Sequence, residues 1–263
     1  MAGKARAIHA LLVLTCLVMV APMLWMFSTA LKPSGEIFAG TFRLWPAHPT
    51  LQNFVVAMTQ VPMARLFLNS LLVAIVVTVA QAFTSALAAY ACAIFQFPGR
   101  TLWFAFFVAT MMVPFQVTMI PNYLLIARLD LLNTYAGLIV PQVVTGYGVF
   151  MLRQTFKNLP GSLVEAGILD GATSWQILWR IVVPATRTAL AALCVLFFIN
   201  TWNQYLWPLL VTNSQHMRTA QIGIAFLRQE ESLSVTLIMA GVILILTPTI
   251  ALLVVGQDRK SVV

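Results

Sequence analysis

The sequence predicts an all-α, polytopic membrane protein with six transmembrane helices, and three observations predict it. Of 263 residues, 60% are apolar and only 8% carry charge, against about 25% charged in an ordinary soluble domain. Six mostly apolar stretches contain no charged residue, and each has roughly the 20 residues that cross a bilayer core of about 30 Å. The 15 Lys and Arg against 7 Asp and Glu leave a net charge of +8, so the few charges are mostly basic and kept to the loops. Such a chain cannot clothe a soluble globule. Its 13 Gly and 13 Pro within so apolar a composition also exclude a disordered or collagen-like chain.

The first span covers residues 7–31. Lys4 and Arg6 precede it as they would a cleaved signal peptide. Its apolar run is long for one, however, and no clear A-x-A site follows before Lys32, so it reads as a retained span. The loop from Lys32 to Arg65 carries the turn string Lys32-Pro33-Ser34-Gly35, then Pro46 and Pro49, with interfacial aromatics Phe42 and Trp45. Spans over 66–95, 102–127 and 135–152 follow. Backbone groups in lipid must find partners within their own segment, so all are read as helices. The third span holds Gln116, Thr118 and Asn122 among Pro114 and Pro121. In the fifth span, 189–211, Asn200, Asn203, Gln204 and Tyr205 make a polar dent. The first three of these share one helix face at spacing i, i+3, i+4. Trp202 and Trp207 beside them read as interfacial anchors. The sixth span covers 233–255. No repeat, low-complexity tract or linker divides residues 1–263, so the chain reads as a single membrane domain.

Loop charge sets the orientation. With both termini on one side, that side holds Lys4, Arg6, Arg100, Arg153, Lys157, Arg180, Arg187, Arg259 and Lys260, net +6 after Glu165, Asp170 and Asp258. The other holds Lys32, Arg43, Arg65, Arg128, Arg218 and Arg228, net +2 after Glu36, Asp130, Glu230 and Glu231. Cytoplasmic termini follow. The cations form no run of five or more, which argues against nucleic acid and for anionic lipid headgroups and acidic partner surfaces. Cys16, Cys92 and Cys194 sit in apolar stretches without ligand spacing and read as small buried hydrophobes. His9, His48 and His216 are dispersed, so no metal centre is expected.

The inner loop, 153–188, is the most informative. After the break Pro160-Gly161, Ser162-Leu163-Val164-Glu165 has the S-x-x-E spacing of a capping box. A helix then runs through Ala166, Gly167, Ile168 and Leu169 and stops at Asp170-Gly171, with Gly171 free to take positive φ. Thr173 or Ser174 caps a second short helix holding Trp175, Ile177 and Leu178, and Pro184 marks the entry to the fifth span. Two short amphipathic helices joined at a glycine make a knob with an apolar face. That face either docks a partner or packs under its own bundle, and spacing alone leaves both open.

Glu165-Ala166-Gly167, Asp170-Gly171-Ala172 and Pro184 resemble the EAA loop of ATP-binding-cassette (ABC) import permeases. The resemblance extends over nearly the whole chain, through Leu68-Asn69-Ser70, Phe97-Pro98-Gly99-Arg100, Met112-Val113-Pro114, Ile120-Pro121, Leu132-Asn133-Thr134-Tyr135 and the string from Trp202 to Leu210. It is to the second permease subunit of carbohydrate importers of the maltose type, and in the last string most to the permease of sn-glycerol-3-phosphate importers. It implies a type I importer permease bundle in a bacterial inner membrane. It also implies a second homologous permease, two ATPase subunits that bind ATP and Mg, and an extracytoplasmic solute-binding protein. The knob would be the coupling helix seated in a cleft of the ATPase. Its contact positions would be Glu165, Ala166, Asp170, Gly171 and Ala172, with Leu163 and Ile168 packing near them. Gly167 stands where the family usually has a second Ala, lowering helix propensity by up to about 1 kcal/mol. After Gly256, the residues Gln257 to Val263 lack the longer basic, glycine-rich tail common in these permeases.

The chain has no G-x-x-x-x-G-K-[ST] loop and so is not expected to be its own ATPase. It lacks H-E-x-x-H, G-x-S-x-G and any intramembrane acid, which argues against an intramembrane enzyme and an ion-coupled secondary transporter. Gln116, Asn122, Asn200, Asn203, Gln204 and Tyr205 read as a pathway lining, with interhelical hydrogen bonding as the alternative. By resemblance the substrate is glycerol 3-phosphate or a glycerophosphodiester, or else a neutral sugar or oligosaccharide.

Overall fold

The structure is a computed structural model that describes residues 2–33, 35–36, 43–60, 62–229 and 235–258. Ser34, Phe42, Glu230, Glu231 and the tail from Arg259 to Val263 lie outside the described residues. In chain order the helices are α1 (Ala2–Ala30), α2 (Gln52–Gln60), α3 (Met63–Ile94), α4 (Arg100–Met112), α5 (Phe115–Arg128) and α6 (Tyr135–Ile139). A 3-10 turn (Val140–Gln142) leads to α7 (Gly146–Lys157), α8 (Gly161–Leu169) and α9 (Ser174–Gln176). A π-helical segment (Ile177–Val182) joins α9 to α10 (Val183–Ala185), and α11 (Arg187–Trp202), α12 (Leu206–Val211), α13 (Ala220–Gln229) and α14 (Val235–Asp258) complete the chain. No strand occurs among the described residues.

Three helices are each long and apolar enough to cross a membrane: Ile8–Ala30, Met63–Ile94 and Val235–Leu252. The other three predicted spans are bent pairs rather than single rods. The predicted span 102–127 is α4 and α5 at 99°. The residue before a proline is driven out of the α region, and Val113 is extended at φ −85°, ψ 114° ahead of Pro114, the N-cap of α5. The predicted span 135–152 is α6 with its 3-10 turn, then α7, at 46°. Its helix runs on past Leu152 to Lys157, because Leu152 and Phe156, one turn apart, are both buried and no breaker intervenes before Pro160. The predicted span 189–211 ends as a helix at Trp202 and restarts at Leu206, and a bend of 84° at Thr186 separates α11 from the residues before it.

The chain divides into two compact units, 1–67 with 220–250 and 68–219 with 251–263. In the first, α1 is apolar all round and exposed along most of its length, as a helix facing hydrocarbon is. Cys16 is therefore exposed on α1 rather than buried; Cys92 is buried and Cys194 half-buried. The end of α1 is fixed by a buried Asn53, whose Nδ2 donates to the carbonyls of Ala30 (2.7 Å) and Lys32 (2.8 Å). Its Oδ1 accepts from Thr236 Oγ1 at 3.2 Å. Ala30, Ala240 and Ile243 form the small core there. The Lys32 ammonium donates to the Arg43 carbonyl at 2.6 Å and lies 4.9 Å over the Trp25 ring.

The second unit is built on α3, which serves two cores. Val73 and Val77 pack with Ile126, Leu138, Trp207 and Val211. Further along, Ala86, Ala89 and Tyr90 pack with Leu152, Phe156, Val164, Ile177, Leu178, Val182, Leu193 and Phe197. Polar staples hold the segment after α12. Asn69 Nδ2 donates to the carbonyls of His216 (2.8 Å) and Arg218 (2.9 Å), and Asn69 Oδ1 accepts from Tyr135 OH at 2.7 Å. Asn133, in the left-handed region at φ 58°, accepts with one oxygen from the amides of Asn213 (2.6 Å) and Ser214 (2.9 Å).

Candidate functional site: the helix-turn knob at residues 158–182

The knob begins where Pro160 stops α7 from continuing. Pro160 (φ −56°, ψ 126°) is itself the N-cap of α8, with no side chain capping it. The predicted Ser162–Glu165 capping box is therefore not formed. A proline can precede a first turn without losing an amide the helix would use, so the helix starts at Gly161 and carries Ser162 one position inside it. The box appears one helix later: Thr173 Oγ1 accepts from the Gln176 amide (3.3 Å), and Gln176 Oε1 accepts from the Thr173 amide (2.8 Å).

Between the two helices the chain makes a complete Schellman turn. The Ala172 amide donates to the Gly167 carbonyl at 3.0 Å and the Gly171 amide to the Ile168 carbonyl at 3.0 Å, with Gly171 at φ 73° as expected. Gly167 and Val164, three residues apart, form the buried face of α8. A Cβ on Gly167 would stand 2.6 Å from Ile181 Cδ1 and 3.3 Å from Ile177 Cγ1. The glycine that weakens helix propensity thus lets α8 lie flat on the π-helical segment. Trp179 anchors that segment to α3 by stacking on Phe83 at 5.6 Å, and Trp175 meets Trp179 edge-on at 5.5 Å.

Leu163, Glu165, Ala166, Ile168, Asp170 and Gly171 are exposed on the other face, while Ala172 is half-buried against the core. Ile168 is 60% and Leu169 87% exposed, and Trp175 joins them at 56%. Leu169 and Trp175 were not among the contact positions read from the sequence. For Leu169 the signal was present, since an apolar residue directly before Asp-Gly at a helix end has no core to enter.

The predicted polar dent is rearranged. Because α11 ends at Trp202, Asn200, Asn203 and Gln204 do not continue one helix face; Asn203 is the C-cap and Gln204 and Tyr205 lie in the break before α12. Asn200, Asn203 and Tyr205 are exposed, and Gln204 is half-buried with its Oε1 enclosed and unpartnered. Gln116 is exposed in the first turn of α5 and Asn122 half-buried two turns on. Phe115 meets Trp207 edge-on at 6.4 Å, so the start of α5 and α12 are neighbours. Trp202 and Trp207 are not interfacial anchors: both are buried, Trp202 stacked on Phe198 at 5.7 Å and Trp207 donating to the Gly137 carbonyl at 3.2 Å. Their rings fill the core where α11 and α12 separate.

Residues 82–258 match the family model of the binding-protein-dependent transport system inner membrane component. The chain is 35% identical over 257 residues to the sn-glycerol-3-phosphate transport system permease protein UgpE of Yersinia pestis bv. Antiqua (strain Antiqua), across 95% of this chain and 92% of that one. It is 33% identical over 241 residues to the arabinooligosaccharides transport system permease protein AraQ of Halalkalibacterium halodurans, across 90% and 86% of the two chains. In fold it matches a chain from the crystal structure of a bacterial ABC transporter involved in import of the acidic polysaccharide alginate. That match has a TM-score of 0.87 at 21% identity over 97% of this chain and 95% of that one. The family is the membrane component of importers that also need a binding protein and an ATPase, so the protein is a transporter subunit and not an enzyme. With well over half its length matched, the chain belongs to the binding-protein-dependent transport system inner membrane components, as a multi-pass permease subunit of an ABC importer.

Proposed function

We propose that this permease imports sn-glycerol 3-phosphate or glycerophosphodiesters. The observation that carries the reading is the 35% identity, over 95% of the chain, to a permease of an sn-glycerol-3-phosphate transport system. An arabinooligosaccharide permease at 33% identity favours an oligosaccharide as the second reading. The solute-binding protein of the system decides between them. Titrating it with sn-glycerol 3-phosphate and with neutral oligosaccharides should give tight binding of the phosphate compound, and tight binding of the oligosaccharides alone would overturn the first reading.

The working assembly has two ATPase subunits that hold ATP and Mg, this chain beside a second, homologous permease, and the binding protein outside. It sits among anionic lipids with both termini of this chain cytoplasmic. The knob is the handle. Its exposed apolar positions Ile168, Leu169 and Trp175 would otherwise waste their surface in water, and the Glu165 carboxylate beside them can pair with a basic group of the ATPase. Small Ala166 and the Gly171 turn permit close approach. ATPase closure moves the knob only if the ATPase holds the two knob positions with different affinity, because equal affinity shifts no equilibrium. Gln116, Asn122, Asn200, Asn203, Gln204 and Tyr205 are the polar groups at or near the breaks in the third and fifth spans and would line the pathway there. Purified chain in vesicles without ATPase should move no solute; unaided uptake would make it a stand-alone secondary transporter.

A further inference from the structure

Span 4 is broken at residues 143–145, with α6 and its 3-10 turn on one side and α7 on the other, bent by 46°. A break within a span frees backbone carbonyls, and in hydrocarbon such groups are tolerated only where protein or water satisfies them. The carbonyls at this break are taken by side chains of α3: Gln81 Nε2 donates to the Gln142 carbonyl and Thr84 Oγ1 to the Val143 carbonyl, both at 2.7 Å. Gln142 in turn donates to the Leu138 carbonyl at 2.7 Å, so the α6 side of the break is closed on itself. Gln81, Thr84 and Ser85 stand at spacing i, i+3, i+4 and share one face of α3.

Two features would allow these bonds to be exchanged. The single Thr84 proton has a second acceptor in its own helix, the Ala80 carbonyl at 2.9 Å, so releasing Val143 leaves no buried donor unpaired. Ser85, fully buried beside Gly148 of α7, has an Oγ with no hydrogen-bond partner. It is a spare donor at the place where a tilting α7 would carry a new acceptor. Beyond the break α7 runs as one rod to Lys157, held by Arg153 Nε on the Cys92 carbonyl (3.1 Å), and delivers the chain at Pro160 into the knob.

The geometry points to a polar hinge in span 4, at which α7 and the knob pivot on α6 while Gln81 and Thr84 act as positioning residues that hold the freed carbonyls and exchange them. The inference rests on the reading of the knob as the ATPase handle. Its test uses the full reconstituted complex with native cysteines replaced, carrying spin labels at Val140→Cys and Gln154→Cys across the break. The distance between them changes on trapping with ATP and vanadate, and the change is lost or blurred in Thr84→Val and Gln81→Leu. These variants lose about threefold each in coupled uptake, the value of one interhelical hydrogen bond, with basal ATP hydrolysis unchanged. Thr84→Ser, which keeps the hydroxyl, retains both readouts. A 140–154 distance that stays fixed on trapping overturns the hinge, as does full uptake by both variants. If crosslinks from Leu169→Cys to the ATPase persist in that case, the handle reading survives and only the hinge falls. Absence of both the crosslink and the distance change removes both.

Discussion

Gly171 ends α8 at φ 73° with nothing within 4 Å of where its Cβ would be, so its requirement is conformational and not steric. A β-branched residue there pays about 1–3 kcal/mol to hold the left-handed region and opens the Schellman turn. Gly171→Val should abolish most substrate-stimulated ATP hydrolysis in the assembled importer with insertion unchanged. Gly171→Asn, which tolerates that region, should keep most of it; an unaffected Val variant would remove the turn from the coupling route. Gly148 is the opposite case. A Cβ there would meet Ser85 Oγ at 2.3 Å and the Phe197 ring at 2.7 Å, so Gly148→Ala should destabilise the α3–α7–α11 contact by about 1–3 kcal/mol. A thermal-unfolding series in detergent that includes Ser85→Gly should recover part of the loss, and additive effects in that double-mutant cycle would contradict the contact. Only the first of these glycines was legible beforehand. Asp-Gly at the end of an apolar helix specifies its backbone locally, whereas the demand on Gly148 comes from residues 63 and 49 positions away in the chain.

At the scale of the element, capping decides which reading of the knob holds. Ser162 and Thr173 both start a segment with cap spacing, and only Thr173 caps, because Pro160 has already started the first helix. Thr173→Ala should therefore cost about 1 kcal/mol and speed amide exchange across residues 174–182, while Ser162→Ala should change exchange in α8 little; the reverse pattern would restore the box read from the sequence. The spans teach a related lesson. Their apolar content was plain from composition, but the breaks within three of them were not, since Pro114 ends a helix while Pro121 sits inside α5 without ending it. The 202–206 break is marked only by Pro208 in the first turn of α12, which denies Gln204 a helical partner, and it opens where Trp202 and Trp207 are drawn into the core on either side.

For the whole molecule, the strings that carried the family resemblance proved to be long-range staples. Asn69 and Asn133 are ordinary polar residues in sequence, yet they tie residues 213–218 to α3 and to the turn before α6 across separations of 80 to 149 residues. Asn53 joins α1 to α14 in the same way, its partner Thr236 being 183 residues away. No local pattern could announce such pairs, which is why the helices were readable and their division into two units was not. Sidedness depends on a different whole-molecule property, the distribution of charge among loops, and it makes its own prediction. If α3 and the two bent pairs that follow it each cross once, three crossings separate His48, exposed in the loop before α2, from Asn158, exposed at the end of α7. Single cysteines at the two positions should therefore label from opposite faces. The excess of basic loops on the Asn158 side requires that Asn158→Cys react with an impermeant thiol reagent only in inverted vesicles and His48→Cys only once the reagent reaches the outer face. Labelling of both from one face would break the six-span count itself, because an odd number of crossings between them follows from α3 and the two bent pairs each spanning once. Labelling from opposite faces with the sides exchanged would keep the count and put the knob outside, where no ATPase could grip it.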